Sequence, residues 1–245
     1  MLNTYKLNLQ YKGTGYCGWQ IQDSDKTIQG ELNRALSILS KTDDVKSIGS
    51  GRTDAGVHAI SQIVKIEIPV SIPADSLTSA INSHLPLDIR VKSAEVCGHD
   101  FHPIFSAVAK VYRYRIWNAV GITPFVEPFV WHSTYKLDLE AMRAAASTFI
   151  GENDFTSFCA ADSTTKTKIR KVLDIKIVKK GPLIEFWFLG EGFLKQMVRI
   201  LVGTLVAVGQ GKVASDSMKD ILEAKDRRAA SGTAPADGLC LVKVC

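Results

Sequence analysis

Alternation of apolar and polar residues, the pattern of a strand with one buried face, restricts the fold of this chain more than any other feature of its sequence. Residues 4–11, 62–68 and 111–117 all alternate in this way. Each segment predicts a strand because successive side chains of a strand point to opposite faces of a sheet. Shorter apolar runs between turn-forming residues predict further strands at residues 89–96, 171–178, 183–189 and 239–244.

Helical patterns lie between these strands. Thr27 is a helix-capping residue that precedes apolar residues at helical spacing, and Asp138 stands in the same position before a helix predicted to run to residue 150 and to end at Gly151. Further helices are predicted at residues 75–83, 192–208 and 216–225. Strands joined mostly by hairpins, with helices between them, favour an α+β fold with antiparallel sheets.

The chain has 245 residues, which corresponds to one or two domains. A proline-containing segment near Pro103 provides the best boundary between its halves. We therefore expect an N-terminal subdomain of residues 1–105 and a C-terminal subdomain of residues 106–245.

Positive charge is concentrated in the second half. Residues 1–105 hold 10 of the 30 Lys and Arg and 11 of the 25 Asp and Glu, so the remaining 20 cations and 14 anions lie in residues 106–245. Seven cations between residues 164 and 180 face one anion, Asp174. A polyanion such as RNA is a suitable partner, because neutralised phosphates release their counterions. A solvated, highly charged strand pair explains the same pattern.

Five scattered cysteines, an odd number with no Cys-x-x-Cys pair, indicate reduced thiols and a cytoplasmic protein. The first residues do not have the charge and apolar pattern of a signal peptide. The longest apolar region, residues 197–208, is too short to span a bilayer. No membrane partner is expected.

The glycine-flanked segment 50–58 is the first candidate site. Glycines at its two ends allow a sharp bend, and Arg52 and Asp54 are spaced so that one loop can present both side chains. A carboxylate held there can serve as a nucleophile or a general base. Alternatively, Asp54 accepts hydrogen bonds from backbone N–H groups in a structural turn.

Arg199 is the second candidate. It is the only formal charge between Gln196 and Gly211. A guanidinium on an apolar helix requires a carboxylate partner when it is buried, and its planar fork can bind one through two hydrogen bonds. The alternative is a surface arginine whose stem lies along apolar residues while its head reaches water.

The third candidate is the strand segment 110–115, with the sequence Lys-Val-Tyr-Arg-Tyr-Arg. Tyr112 and Tyr114 share one face, and the two arginines share the other. RNA-binding sheets use such aromatic faces to stack bases. Core aromatics beside solvated cations are the alternative.

Two pairs of residues have the spacing of a partial metal site. Asp54 and His58 are four apart, and His99 and His102 are three apart. Neither pair belongs to a recognised ligand set, and the nucleotide-binding and hydrolase motifs are lacking. We therefore expect neither a metal nor a cofactor.

Together these segments resemble the TruA family of tRNA pseudouridine synthases. Residues 51–59, Gly-Arg-Thr-Asp-Ala-Gly-Val-His-Ala, match that family's catalytic loop residue for residue. Residues 110–112 match its Lys/Arg-x-Tyr motif, and residues 192–199 resemble its third motif. Smaller matches occur at residues 18–20, 154–158 and 233–239. One position departs from the pattern: Ile104 stands where the family usually has arginine.

The resemblance implies a role for each candidate residue. Asp54 falls on the family's nucleophile and Tyr112 on its base-contacting tyrosine. Arg199 falls on the arginine that pairs with the catalytic aspartate. Arg52, beside the nucleophile, is our candidate for filling the space that the flipped nucleotide vacates or for steering that nucleotide.

The resemblance also implies the pseudouridine synthase fold, with two α/β subdomains whose antiparallel sheets join around a central cleft. It implies a homodimer that binds tRNA and isomerises uridines 38, 39 and 40 of the anticodon stem-loop, with no cofactor. A non-catalytic RNA-binding module explains the basic half but not Asp54 and Arg199. A metal-dependent nuclease built on Asp54, His58 and other histidines is a third interpretation.

Overall fold

The computed structural model describes residues 2–245, which form two compact units. The first unit contains residues 2–108 and 240–245, and the second contains residues 109–239. The strands are β1 (Asn3–Tyr11), β2 (Lys46–Gly49), β3 (His58–Ile68), β4 (Ile89–Val96), β5 (Lys110–Trp117), β6 (Trp131–His132), β7 (Gly151–Asp154), β8 (Ile169–Lys180), β9 (Leu183–Gly190) and β10 (Leu239–Val244). The α-helices are α1 (Ile28–Ser40), α2 (Ala74–Asn82), α3 (Leu139–Ser147), α4 (Met197–Gly209) and α5 (Met218–Ala224).

The sheet of the first unit has the strand order β4-β1-β3-β10, and β2 also pairs with β3. β1 lies antiparallel to both β3 and β4. β10 runs parallel to the start of β3, where Cys240 lies opposite His58. The last six residues therefore group with the first half of the chain.

The core of the first unit follows the sequence pattern. The four apolar residues of the alternating segment in β1 are almost completely buried: Tyr5, Leu7, Leu9 and Tyr11. In α1 the residues at helical spacing, Ile28, Leu32 and Leu36, are fully buried as well. The Thr27 hydroxyl accepts a hydrogen bond from the Gly30 N–H at 3.2 Å, which confirms the predicted cap.

The sheet of the second unit has the order β5-β9-β8-β7 with antiparallel neighbours, and β6 pairs with β5 in parallel. α4 is the most apolar helix, and ten of its thirteen residues are buried. Gly203 of α4 lies against the carbonyl of Gly232, so that no side chain fits between the helix and the segment before β10.

The predicted α+β class is confirmed, with some differences in detail. The helix predicted from residue 192 begins at Met197, because Gln196 has a φ of 60° and a left-handed residue cannot lie inside a right-handed helix. α3 ends at Ser147 rather than at residue 150. β2, β6 and β7 were not expected, since two to four residues are too few to show a period. Two strand pairs, β10 with β3 and β5 with β6, are parallel rather than antiparallel.

Two structural features are absent from residues 2–245. No helix there has both the length and the apolar character that crossing a bilayer requires. Nor do three or more His, Cys, Asp or Glu side chains of this part of the chain converge as a metal site would need.

Candidate active site

The loop that carries Arg52 and Asp54 joins β2 to β3, and buried Gln62 holds its first residues. The Ser50 hydroxyl donates a 2.7 Å hydrogen bond to the Gln62 side-chain carbonyl, and the Gln62 amide donates one of 2.6 Å to the Gly51 carbonyl. Ser50 and Gln62 are both fully buried. The loop therefore leaves the sheet in a fixed direction.

A second loop, residues 13–19, is hydrogen-bonded to the backbone around Asp54. The Trp19 N–H donates to the Thr53 carbonyl at 3.1 Å, and the Gly56 N–H donates to the Tyr16 carbonyl at 3.2 Å. The Gly13 N–H donates to Nδ1 of buried His58 at 3.0 Å. These three contacts hold the backbone on both sides of Asp54.

Side chains beside Asp54 point alternately inwards and outwards. Thr53 is buried, and its hydroxyl lies 2.9 Å from that of Tyr11, whose ring belongs to the core. Asp54 is half-buried and Arg52 is exposed. The Asp54 carbonyl accepts a hydrogen bond from the Val57 N–H at 3.1 Å, which closes the turn. The loop thus presents one carboxylate and one guanidinium from a backbone that its neighbours fix.

Gly18 allows the two loops to approach closely. Its φ is 88°, and an added Cβ would lie 2.7 Å from the Thr53 carbonyl oxygen. We expect Gly18→Ala to displace the Asp54 loop and to lower the single-turnover rate of the site's reaction by about 10²-fold. Thermal unfolding would show a loss of about 1–2 kcal/mol, because alanine disfavours a left-handed conformation.

Gly15→Ala is the matched control for this substitution. Gly15 lies in the same loop, and nothing lies within 4 Å of the Cβ that alanine would add there. This variant should keep the wild-type rate. A Gly18→Ala enzyme as fast as the Gly15→Ala enzyme would show that the close approach does not position Asp54.

In the second unit, Tyr112 lies on β5 and is buried, with 7% of its surface exposed. Its ring packs edge-on against Phe193, with 5.1 Å between the ring centroids. Phe193 belongs to the segment that leads into α4, so this contact connects the Tyr112 strand with the approach to the Arg199 helix.

The two tyrosines of β5 differ in their surroundings. Tyr114 is a core residue: it is fully buried, and its hydroxyl donates to the Pro235 carbonyl at 2.8 Å. Burial raises the pKa of Tyr114. On the opposite face, Arg113 forms a 3.7 Å ion pair with Glu185 and lies over the Trp187 ring. The alternative of core aromatics therefore holds for Tyr114.

Lys110, at the start of β5, lies near a second cation, Arg170. It lies opposite Gly190 of β9, which in turn lies opposite Val172 of β8. Burial lowers the pKa of the Lys110 ammonium, and the nearby Arg170 guanidinium lowers it further. This end of the sheet therefore combines desolvation with positive charge.

Arg199 occupies the first turn of α4, between the buried residues Val198 and Ile200. It is half-buried, and its Nε donates a 2.8 Å hydrogen bond to the Ala234 carbonyl. The Ala234 N–H returns a bond of 3.1 Å to the Arg199 carbonyl. A guanidinium fixed to a backbone oxygen differs from a surface arginine whose head moves freely in water.

The basic segment, residues 164–180, is only partly neutralised by ion pairs with acidic side chains. Lys171 forms an ion pair with Glu191 at 3.4 Å, and Lys176 forms one with Asp174 at 3.2 Å. Lys166 is exposed.

Ile104, at the position where arginine was expected, is 46% exposed and presents apolar surface.

The structure divides the predicted residues between the two units: Arg52 and Asp54 lie on one loop of the first, and Tyr112 and Arg199 lie in the second. Sequence reasoning missed the residues that hold them, namely the Tyr11–Thr53 pair, Phe193 and Ala234. Phe193 had a signal, since it lies in the segment 192–199. The Tyr11–Thr53 contact joins residues 42 apart and has no sequence signal.

Comparison with known proteins gives consistent matches. A family model described as tRNA pseudouridine synthase matches residues 9–106 and 145–245. The tRNA pseudouridine synthase A of Bacillus subtilis (strain 168) is 42% identical over 240 residues, which cover 98% of this chain and 97% of that protein. The protein of the same name from Geobacillus sp. (strain WCH70) is 43% identical over 244 residues, which cover 100% of this chain and 98% of that protein.

Proposed function

Because this chain belongs to the tRNA pseudouridine synthase family and isomerises uridine to pseudouridine in tRNA, we propose that Asp54 is its nucleophile and that its targets are uridines 38, 39 and 40 of the anticodon stem-loop. The observation that carries this proposal is the nine-residue loop 51–59. Its backbone is held on both sides of a half-buried carboxylate.

The reaction is an isomerisation within one nucleotide. The bond between N1 of uracil and C1′ of ribose breaks, the base rotates, and a bond between C5 and C1′ forms. C5 loses its proton and N1 gains one, so atoms and electrons balance without an external oxidant or reductant. Ionised Asp54 can attack C1′, attack C6 of the base or remove the 2′ proton, and all three paths use the same carboxylate.

The other predicted residues are assigned to steps around this chemistry. A base inside a helical stem must first leave its stack, which costs a few kcal/mol. Exposed Arg52, two residues from Asp54, is proposed to guide the flipped nucleotide. Tyr112 is proposed to contact the extruded uracil, and the edge-on packing of its ring against Phe193 supports this role by limiting the motion of the ring.

Arg199 is proposed to pair with the Asp54 carboxylate and to compensate its charge. A cation within about 4–6 Å favours the charged form of a carboxyl group. The hydrogen bond from Nε to Ala234 supports this role, because it fixes the guanidinium before the substrate binds. Preorganised charge of this kind needs no rearrangement during the reaction.

We further propose that the enzyme acts in the cytoplasm as a homodimer, with one tRNA reaching across both subunits. The odd number of scattered cysteines supports a reducing compartment. Sedimentation of the protein with and without tRNA would measure the stoichiometry of the complex.

The experiment that tests the activity uses tRNA tritiated at C5 of uracil. Isomerisation exchanges the C5 hydrogen and releases tritium into water, whereas a protein that only binds RNA leaves the label in place. A nuclease would cut the RNA and lose activity in EDTA. Mapping pseudouridine in the same tRNA tests positions 38, 39 and 40, and modification confined to other positions would contradict our assignment.

The basic segment is proposed to bind the tRNA backbone. Reversing two exposed charges, Lys166→Glu and Lys171→Glu, should weaken tRNA binding and reduce the slope of log Kd against log salt by about one for each lost phosphate contact. Binding measured between low and moderate salt checks this. Lys46→Glu with Lys92→Glu, at exposed sites on β2 and β4, changes net charge equally and is the control. Equal slopes in both double variants would place the RNA elsewhere.

A further inference from the structure

A pocket of about 410 Å³ lies in the second unit, and its lining includes none of the residues assigned to the reaction. This volume is near the lower end of the range for ligand sites. Two segments about 60 residues apart form the pocket. Its lining consists of Thr156, Cys159, Ala160, Ala161, Ser163, Lys168, Lys225, Asp226, Arg227 and Arg228.

The two walls of this pocket are joined by a hydrogen bond and an ion pair. The Asp226 N–H donates to the hydroxyl of fully buried Ser157 at 3.0 Å. Lys225 forms a 3.1 Å ion pair with Asp154. The walls are therefore fixed to each other without a ligand.

The pocket has an excess of positive charge. The carboxylate of Asp226 is occupied by Arg228 through hydrogen bonds of 2.7–3.1 Å, which hold the pKa of that carboxyl below its usual value. Lys168 and Arg227, in contrast, form no ion pair with any carboxylate of residues 2–245. Two cations are thus left to face an outside anion.

Neutral oxygens orient these two cations. Lys168 Nζ donates to the Ser163 carbonyl at 3.0 Å. The terminal nitrogens of Arg227 donate to the Ala230 carbonyl and the Thr233 hydroxyl, both at 3.2 Å. A neutral oxygen directs a cation without neutralising it, so each keeps a net positive charge that attracts an anion.

The pocket adjoins the segments that position Arg199. Arg227 binds Thr233, and the next residue, Ala234, accepts the Arg199 hydrogen bond. On the other wall, the Ala160 N–H donates to the carbonyl of Lys195, two residues before α4. An anion in the pocket would therefore lie beside the segments that hold Arg199.

We propose that this pocket binds a phosphate group of the tRNA backbone, with Lys168 and Arg227 as its cationic ligands. The proposal rests on the proposed function, which provides the polyanion. Exposed Lys166, in the same loop as Lys168, favours an extended anion over a small one, because it continues the positive charge beyond the pocket.

The test compares Lys168→Gln, Arg227→Gln and the double variant with Lys219→Gln. Lys219 is a 77% exposed lysine on α5 that loses the same charge. Each pocket variant should raise the Kd for tRNA roughly tenfold, as expected for a hydrogen bond to a charged group. Each should also reduce the salt slope by about one. The control should match wild type in affinity, salt slope and tritium release.

Two further measurements identify the anion. Ethylation of single tRNA phosphates should weaken binding to wild type at one site and no longer do so with the double variant. An unchanged interference pattern would overturn the proposal. So would inorganic phosphate that binds wild type but not the double variant, if tRNA affinity stays the same, since the pocket would then hold a free anion.

Arg227→Lys protects the test against misfolding. It keeps the charge but removes the fork that binds Ala230 and Thr233, so its salt slope should stay near wild type even where stability falls. A slope that drops in Arg227→Lys as far as in Arg227→Gln would mean that Arg227 acts only structurally. Failure of wild type to release tritium would reject the proposed function instead, because the binding measurements do not depend on turnover.

Discussion

Asp54→Asn is expected to lower the rate of tritium release from C5-labelled tRNA by about 10⁴-fold or more, the scale seen when a nucleophile is removed. The amide has nearly the same shape as the carboxylate but has no negative charge to attack carbon or remove a proton. Thr53, Val57 and His58 would still hold the loop, so the Kd for tRNA should change little.

Asp43→Asn is the control for this substitution, since Asp43 is an exposed loop aspartate of the same unit. Its release rate should equal that of wild type. Turnover by Asp54→Asn within tenfold of wild type would remove Asp54 from its proposed role. A large loss of tRNA affinity with normal chemistry on bound tRNA would make it a binding residue.

Arg199→Ala is expected to lower both activity and stability. Loss of preorganised charge near a reacting group costs about 10²–10³ in rate. Losing the hydrogen bond from Arg199 to the Ala234 carbonyl leaves a polar group short of a partner, at about 1–3 kcal/mol. For a chain of this size each kcal/mol lowers Tm by about 2–4 °C. Single-turnover kinetics and thermal unfolding measure the two effects.

A double-mutant cycle separates pairing from packing. If Arg199 compensates the Asp54 charge, Arg199→Ala should cost less stability in an Asp54→Asn background than in wild type, because no carboxylate is then left uncompensated. Arg34→Ala, which removes an exposed arginine paired with Glu31, should cost the same in both backgrounds. Strictly additive costs for Asp54 and Arg199 would exclude the proposed pair.

The sequence predicted those parts of the fold that depend on local periodicity. β4 and β10 have their predicted bounds, and the caps Thr27 and Asp138 are confirmed. The start of α4 was wrong by five residues, because apolar composition does not reveal that Gln196 adopts a left-handed conformation.

For the site, as for the fold, the sequence indicated what depends on local residues and missed what depends on tertiary contacts. A short motif was enough to select Asp54 as a candidate, and its proposed role follows from the types and order of residues 51–59. Some of the groups that hold the motif lie far away in sequence, as Tyr11 and Gly18 do for the loop. The pocket around Lys168 and Arg227 had no signal either, because tertiary folding brings its two walls together.

The parallel pairing of β10 with β3 makes the first unit discontinuous in sequence. Residues 109–239 lie in the sequence between the first four strands of this unit and β10. A fragment cut at residue 108 would lack the partner of His58 and Ala59, directly after the Asp54 loop, and would expose an open strand edge that invites aggregation. The two halves are therefore poor choices for separate expression.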